Sequence, residues 1–80
     1  MVEIRYFAAI ADVVGKDRET LDFPADATVA DLRTTLADSY GPDLDKMLAV
    51  CAYLVGDELT RDPSALLTPR VDVLPPFAGG

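Results

Sequence analysis

The last ten residues place the tightest limit on how this chain can fold. Val71 and Val73 alternate with Asp72, a pattern typical of a strand with one buried face. Pro75 and Pro76 cannot donate backbone hydrogen bonds, so sheet pairing must end before them. The chain therefore needs a fold in which its final strand leads straight out of the domain.

The residues after the prolines end in two glycines. A Pro-Pro unit favours the extended polyproline conformation, which directs Phe77 and Ala78 away from the body. Gly79 and Gly80 carry no side chains, so they could enter a slot too narrow for any Cβ atom. The alternative without a function is a frayed terminus, because the final residues of most domains are poorly ordered. The pattern instead favours a flexible tail from about residue 75 that presents the Gly80 carboxylate to another protein.

Strand and helix patterns alternate through the rest of the chain. Apolar and polar residues alternate over 2–7 and 20–23, which predicts two strands paired as an antiparallel hairpin. Between them, the Ala-rich segment 7–15 ends on glycine and predicts a short helical turn. The apolar run 50–55 predicts a buried strand, and 58–60 predicts a short returning one.

The clearest helix begins after Thr28, which is a good N-cap. Val29, Leu32 and Leu36 share one face at helical spacing, and Tyr-Gly-Pro at 40–42 ends the helix. Shorter helical turns are predicted at 44–48 and 62–65. One domain over 1–80 follows, of class α+β, with a sheet packed against one main helix.

The ending Pro-Pro-x-x-Gly-Gly at 75–80 resembles that of the ubiquitin-like sulfur carriers, the MoaD/ThiS family. Within it, the form is most similar to the small subunits of molybdopterin synthases. Segment 7–15 resembles the family's first strand and short helix. Segment 28–40 resembles the family's main helix. The resemblance covers almost the whole chain and implies a β-grasp roll with a mixed sheet. Gly-Asp at 56–57 and the segment 67–70 depart from the family's usual turns, which affects loop shape rather than chemistry.

Composition argues against several classes of function. A formal net charge of −7 argues against nucleic acid and anionic membranes, because both bind clustered Lys and Arg. There is no His and one Cys, which excludes Ser/His and Cys/His catalytic pairs, the usual zinc sites and four-cysteine clusters. We therefore expect no bound metal or cofactor. A signal peptide and a membrane-spanning run are also missing, so a cytoplasmic location is expected.

Other candidate groups have simpler interpretations. Cys51 lies in an apolar run and is expected to be a small core residue rather than a sulfur relay. Asp43 and Asp45 are expected to lie in a solvated loop rather than to form a catalytic pair. The excess of acidic residues suits either solubility or partners with basic docking surfaces.

The resemblance implies a role for Gly80, whose carboxylate would be adenylated and then thiocarboxylated. An E1-like adenylyltransferase would use ATP for the first step, and a sulfurtransferase or cysteine desulfurase would supply the sulfur. The large subunit of molybdopterin synthase would then receive it, with Gly79 passing through its slot. The chain itself would be a non-catalytic subunit. The residues expected to anchor the tail in these partners are Leu74, Pro75, Pro76, Phe77 and Ala78.

Other functions fit the same tail. A carrier could supply sulfur for thiazole or cysteine synthesis, or the chain could be a ubiquitin-like modifier of proteins. A noncovalent β-grasp interaction module is an alternative of another class, in which the terminal carboxylate is idle. One residue added after Gly80 would inactivate a carrier and leave an interaction module intact.

Overall fold

The structure, a computed structural model of the protein, describes residues 1–76. Predictions for Phe77, Ala78, Gly79 and Gly80 lie outside the described residues. Within residues 1–76 the chain forms five strands and three helices. In chain order they are β1 (Val2–Tyr6), α1 (Ala9–Val14), β2 (Arg18–Leu21), α2 (Val29–Tyr40), α3 (Pro42–Leu48), β3 (Ala52–Val55), β4 (Glu58–Thr60) and β5 (Arg70–Leu74).

The strands form one mixed sheet in the order β2-β1-β5-β3-β4. β1 pairs antiparallel with β2 and parallel with β5, where Ile4 lies opposite Val71 and Tyr6 opposite Val73. β5 also pairs antiparallel with β3. The last strand of the chain therefore occupies the centre of the sheet, and the predicted hairpin and mixed sheet are confirmed.

One face of the sheet packs against the helices. Alternate residues of the central strands are buried there, together with the predicted apolar face of α2. Burying each such side chain fully contributes roughly 1.5–3 kcal/mol before conformational entropy is counted. The side chains with essentially no exposure are Ile4, Ile10, Val29, Leu32, Leu36, Leu44, Leu48, Val71 and Val73.

α2 begins and ends where the local signals predict. The Asp31 backbone N–H donates to Thr28 Oγ1 at 3.4 Å, and the Thr28 N–H donates to Asp31 Oδ2 at 2.9 Å. This capping box satisfies two otherwise unpaired donors. Gly41, at φ 93°, ends the helix, and its N–H donates to Ala37 O at 2.8 Å. Pro42 then starts α3 rather than a loop, because a proline is well tolerated at the first helical position.

Two predicted strand boundaries were wrong. The second strand runs Arg18–Leu21 rather than 20–23, and its last residue, Leu21, pairs with Val2 at the start of β1. β3 starts at Ala52, and its residues alternate between half-buried and buried because the helices cover only one sheet face. The single turn predicted at 62–65 is present, closed by the Ala65 N–H donating to Asp62 O at 3.1 Å. No helix within residues 1–76 has the length and apolar character needed to span a bilayer.

Candidate functional site

The strand that leads to the tail ends at the predicted place. Val71 and Val73 of β5 are fully buried, and Leu74, which pairs with Ala52, is half-buried. Pairing stops at Leu74, since neither following proline can donate to a neighbouring strand. The chain thus leaves the sheet from its central strand, which has partners on both sides.

The structure places three of the seven predicted site residues. Leu74 and Pro75 are half-buried, and Pro76 is exposed. They lie in this order from the sheet toward solvent. Their contacts with a partner stay a prediction, as do the roles of the four residues after them.

An ion pair joins β1 to β5 directly before this exit. Arg5 Nε donates to Asp72 Oδ1 at 2.7 Å, and a second guanidinium nitrogen donates to Oδ2 at 2.8 Å. The hydrogen bond and the charge of Asp72 raise the pKa of Arg5 further above its usual range. Asp72 is only 5% exposed, although it points away from the helices. The sequence pattern had suggested a solvent-facing Asp72, and it gave no signal for a partner 67 residues away.

The aromatic ring of Phe7 lies beside the same ion pair. The Arg5 guanidinium carbon is 5.6 Å from the ring centroid, a distance suited to a cation–π contact. Tyr6, the last residue of β1, pairs with Val73 in a parallel ladder. Phe7 follows Tyr6 and Leu74 follows Val73, so Phe7 and Leu74 lie at the same edge of the sheet. An exposed aromatic residue therefore lies at the side of the tail's exit. Nothing in the sequence pattern marks Phe7 as a site residue.

The sheet face opposite the helices, which we call the outer face, has two halves. Leu54 lies opposite both Asp72 on β5 and Leu59 on β4, and Leu59 is 62% exposed. The apolar half is formed by Ala52, Leu54, Leu59 and Leu74. The charged half, on β1, β2 and β5, is formed by Glu3, Arg5, Arg18, Arg70 and Asp72. Because both halves include residues of β5, the whole face is continuous with the start of the tail.

A cleft of about 500 Å³ opens where β1 ends and β2 begins. Ala8 in its wall has φ 53° and ψ −129°, and within residues 1–76 it is the one non-glycine residue with positive φ. Such a conformation costs an L-residue roughly 1–3 kcal/mol. The cleft is lined by Arg5, Tyr6, Phe7, Ala8, Ala11, Asp17 and Arg18.

A polar cluster on the helix side of the sheet has a structural role. The Glu19 carboxylate accepts hydrogen bonds from the hydroxyl groups of Tyr6 and Tyr40, the latter at 2.8 Å, and Lys16 Nζ lies 3.6 Å away. Burial alone would raise the pKa of Glu19, but the two hydroxyl donors and Lys16 outweigh it and lower that pKa. Burial and the Glu19 hydrogen bond raise the pKa of Tyr6. The cluster holds the end of α2 onto β1 and β2.

The remaining candidates do not form a reactive centre. Cys51 is buried, its Sγ donates to Met47 O at 3.1 Å, and burial raises the pKa of the thiol. This confirms that it is a core residue. Asp43 and Asp45 lie in the first turn of α3 and not in a loop, which corrects that prediction; Asp45 is 3.5 Å from a guanidinium nitrogen of Arg33. Acidic side chains are stabilised there by the helix dipole. Among residues 1–76, no group of three His, Cys, Asp or Glu side chains could hold a metal ion.

Fold and tail together define a ubiquitin-like β-grasp protein whose last central strand leads to a diglycine end. The crystal structure of SAMP1 from Haloferax volcanii matches with a TM-score of 0.74 and 24% identity, covering 99% of this chain and 98% of that one. This match confirms the β-grasp fold. The model of the ThiS family matches residues 4–80, so the chain belongs to the ThiS family.

Two relatives show how far the similarity extends. A Caenorhabditis briggsae protein named molybdopterin synthase sulfur carrier subunit is 30% identical over 82 residues, covering 99% of this chain and 96% of that protein. A Chlamydomonas reinhardtii protein of the same name is 28% identical over 82 residues, covering 99% and 98%. The similarity therefore spans both proteins nearly from end to end, which confirms the resemblance seen in the sequence.

Proposed function

We propose that this protein is the sulfur-carrying small subunit of a molybdopterin synthase, with the sulfur held on Gly80. The observation that carries the proposal is the position of β5. A strand paired on both sides ends at two prolines, and the sequence beyond them closes on Gly79 and Gly80. Membership of the ThiS family and the names of the two relatives support the same role.

The Gly80 carboxylate needs activation, because its negative charge repels nucleophiles and oxide is a poor leaving group. An E1-like adenylyltransferase joins the carboxylate to the AMP portion of ATP and releases pyrophosphate. A sulfur nucleophile then attacks the acyl carbon of this mixed anhydride. AMP departs with the bonding electron pair, and a thiocarboxylate remains. A sulfurtransferase or cysteine desulfurase supplies the sulfur as a persulfide, and a thiol reductant releases the sulfide-level sulfur while it is itself oxidised to a disulfide.

The thiocarboxylate next delivers its sulfur to an acceptor bound by the large subunit of the synthase. The acceptor is cyclic pyranopterin monophosphate, and the product carries the dithiolene of molybdopterin. Because a dithiolene contains two sulfur atoms, two loaded carriers are consumed for each product. The thiocarboxylate sulfur first bonds to the acceptor, which makes a thioester between carrier and acceptor. Water then cleaves the acyl–sulfur bond, which leaves the sulfur on the acceptor and returns the Gly80 carboxylate.

The carrier itself contributes only its tail, which the partners bind and act on. Leu74, Pro75, Pro76, Phe77 and Ala78 anchor the tail, and Gly79 lets it pass through a narrow slot. The carrier binds no cofactor, and the activating partner uses the ATP. The proposed location is the cytoplasm.

Intact mass spectrometry tests the proposal. After incubation with the E1-like enzyme, ATP and a sulfur donor, the mass should rise by one sulfur-for-oxygen exchange at Gly80. Loaded protein, mixed with the large subunit and the pterin precursor, should then yield a dithiolene. A variant with one alanine added after Gly80 is the control and should remain unloaded.

Other outcomes of this experiment identify the alternatives. Loading without dithiolene formation would point to thiazole synthesis, cysteine synthesis or protein modification as the destination. No loading, with unchanged partner binding by the extended variant, would indicate a noncovalent interaction module and overturn the proposal.

A further inference from the structure

The ion pair between Arg5 and Asp72 is the last side-chain contact that holds β5 before the tail. Among residues 1–76, no side chain after Asp72 makes a hydrogen bond or an ion pair. The backbone ladders end almost at the same place, since pairing with β1 ends at Val73 and pairing with β3 ends at Leu74. The direction in which the chain leaves the sheet is therefore set over these three residues.

The first strand gives no backbone support beyond that point. Phe7 leaves the sheet after Tyr6, and Ala8, at φ 53°, turns the chain into α1. The Arg5 side chain, which lies opposite Asp72 in the parallel register, supplies the remaining contact from β1. The Phe7 ring centroid is 5.6 Å from the guanidinium carbon, so the ring limits where this side chain can turn.

The contact between Arg5 and Asp72 fixes an angle as well as a distance. Two guanidinium nitrogens donate to separate oxygens of Asp72, at 2.7 and 2.8 Å. A planar group bound at two points holds its partner in one orientation, whereas a lysine ammonium would supply only a point charge. The Asp72 side chain is 7% exposed, and buried ion pairs often add little stability over apolar residues of similar volume. A fixed orientation is therefore the main contribution of this pair.

The two prolines transmit that orientation to the tail. Pro75 is half-buried and Pro76 is exposed, and each ring fixes its own φ. A proline-rich segment acts as a semi-rigid spacer. From Asp72 to Pro76 an extended chain spans about 13 Å, so a tilt of about 15° would move its end by about 3 Å. Misplacing a reacting group by only about 1 Å can cost on the order of 100-fold in rate.

We propose that Arg5 is a positioning residue for the loading of Gly80. Through Asp72, it sets the direction in which β5 and the two prolines present the terminal carboxylate to the activating enzyme. Arg5 needs no contact of its own with that enzyme in this role. The inference rests on the proposed function and adds to it a residue from the opposite end of the chain.

Arg5→Lys tests the orientation without changing the net charge of −7. Pyrophosphate release by the E1-like enzyme, with ATP, a sulfur donor and a thiol reductant, gives kcat/KM for the full-length carrier. We expect Arg5→Lys to lower kcat/KM about five-fold, because the tail then points in a wider range of directions. Arg5→Leu/Asp72→Ala also keeps the net charge and leaves no buried carboxylate unpaired, and it should show a similar loss.

A hinged chain, Pro75→Gly/Pro76→Gly, separates positioning from other effects. Two glycines remove the fixed φ angles, so the direction of β5 is no longer transmitted to Gly80. The hinged chain should load less efficiently than the parent, and adding Arg5→Lys should change its kcat/KM by less than about 1.5-fold. Partial unfolding, or loss of a direct contact between Arg5 and the enzyme, would instead lower kcat/KM equally in both chains.

Arg33→Lys is the matched control. Arg33 also makes an ion pair between two elements, since it lies 3.5 Å from Asp45 and so joins α2 to α3, and its side chain is 33% exposed. The substitution keeps the net charge and does not touch β5. It should leave kcat/KM within about two-fold of the parent value, because a partly exposed ion pair contributes little. Thermal unfolding of every variant shows whether it is folded at the assay temperature.

The results separate failure of this inference from failure of the proposed function. Equal losses from Arg5→Lys in the parent and the hinged chain, or no loss in either, would overturn the positioning role while the carrier function stands. A loss of the same size in Arg33→Lys would do the same. If the enzyme does not load the parent, the proposed function fails and this inference fails with it.

Discussion

The guanidinium of Arg5 and the carboxylate of Asp72 form a two-point ion pair, at 2.7 and 2.8 Å, that joins the first strand to the last. The two partners differ in their access to water: the Arg5 side chain is 38% exposed and that of Asp72 only 7%. The pair therefore fixes β5 against β1 immediately before the tail. Replacing Arg5 and replacing Asp72 should have different effects on stability.

Replacing Arg5 should cost more stability than replacing Asp72. In Asp72→Ala the Arg5 guanidinium can turn into solvent, so we expect a loss of about 1–2 kcal/mol in the free energy of unfolding. Arg5→Leu leaves a carboxylate buried without a partner, which should cost about 3 kcal/mol. The double variant Arg5→Leu/Asp72→Ala should recover part of that loss. Urea unfolding of the three variants measures these differences, and equal costs for the two single variants would contradict the asymmetry.

The hydrogen bonds to Glu19 should make stability depend on acid pH. Because the pKa of Glu19 in the folded protein is below the ordinary value of 4.5, its stabilising effect is complete above that value. The effect is lost as the pH falls through the lower folded pKa. Glu19→Gln should therefore flatten the pH dependence of unfolding between about pH 5 and pH 2.

Glu58→Gln is the matched control for that experiment, because Glu58 is exposed on an edge strand and makes no ion pair or side-chain hydrogen bond within the described residues. It should unfold with the parent's pH profile. A Glu19→Gln profile that overlays the parent's below pH 5 would show that the cluster does not contribute this linkage.

Ala8→Gly should stabilise the protein. A glycine relieves the positive φ of 53° at this position, although it also adds conformational freedom to the unfolded chain. The net gain should be below about 1 kcal/mol, or a few degrees in Tm. Ala9→Gly, one residue further on in α1, should lower stability instead, because glycine is unfavourable in a helix. Thermal unfolding checks both, and equal shifts of the same sign would show that Ala8 is not strained.

Replacing Cys51 with alanine should leave sulfur transfer intact. Its thiol is buried and donates to the Met47 carbonyl oxygen, so the change removes one weak hydrogen bond and little volume. The cost should be about 1 kcal/mol of stability. Thiocarboxylate formation followed by mass, beside a melting curve, is the measurement. Loss of transfer by a normally folded variant would assign the thiol a role in the relay.

Changes in the tail should alter transfer without altering stability. Deleting Gly80 places the carboxylate up to roughly 3.3–3.6 Å short of its target, so transfer should be abolished. Gly79→Ala adds a methyl group and restricts φ, which should slow turnover in a tight partner slot. Phe77→Ala should weaken binding to the large subunit by about 2 kcal/mol if this residue is a hot spot.

Turnover, affinity and thermal unfolding of the three tail variants distinguish two effects. One is a carboxylate that does not reach its target, and the other is a tail that binds the partner weakly. All three should melt near the parent, since the last described strand ends at Leu74. Unchanged dithiolene formation after deletion of Gly80 would show that the tail is not the working part. Unfolding caused by Gly79→Ala would show instead that the glycine is structural.

Features that depend on neighbouring residues could be predicted from the sequence. The bounds of α2 follow from the capping box at Thr28 and the positive φ at Gly41, which are interactions within one turn. The end of β5 follows from the chemistry of Pro75 alone. The buried face of α2 and the core position of Cys51 follow from apolar periodicity and run length.

Tertiary structure alone decided which strands are neighbours, and with that the character of the outer face. Nothing local places β5 between β1 and β3, or brings Asp72 within 2.7 Å of Arg5. The alternation of Val71, Asp72 and Val73 specifies two faces but not what lies across from them. Sheet register between distant segments is set by the packing of the whole core, so the buried carboxylate and the charged half of the outer face appear only when the chain is folded.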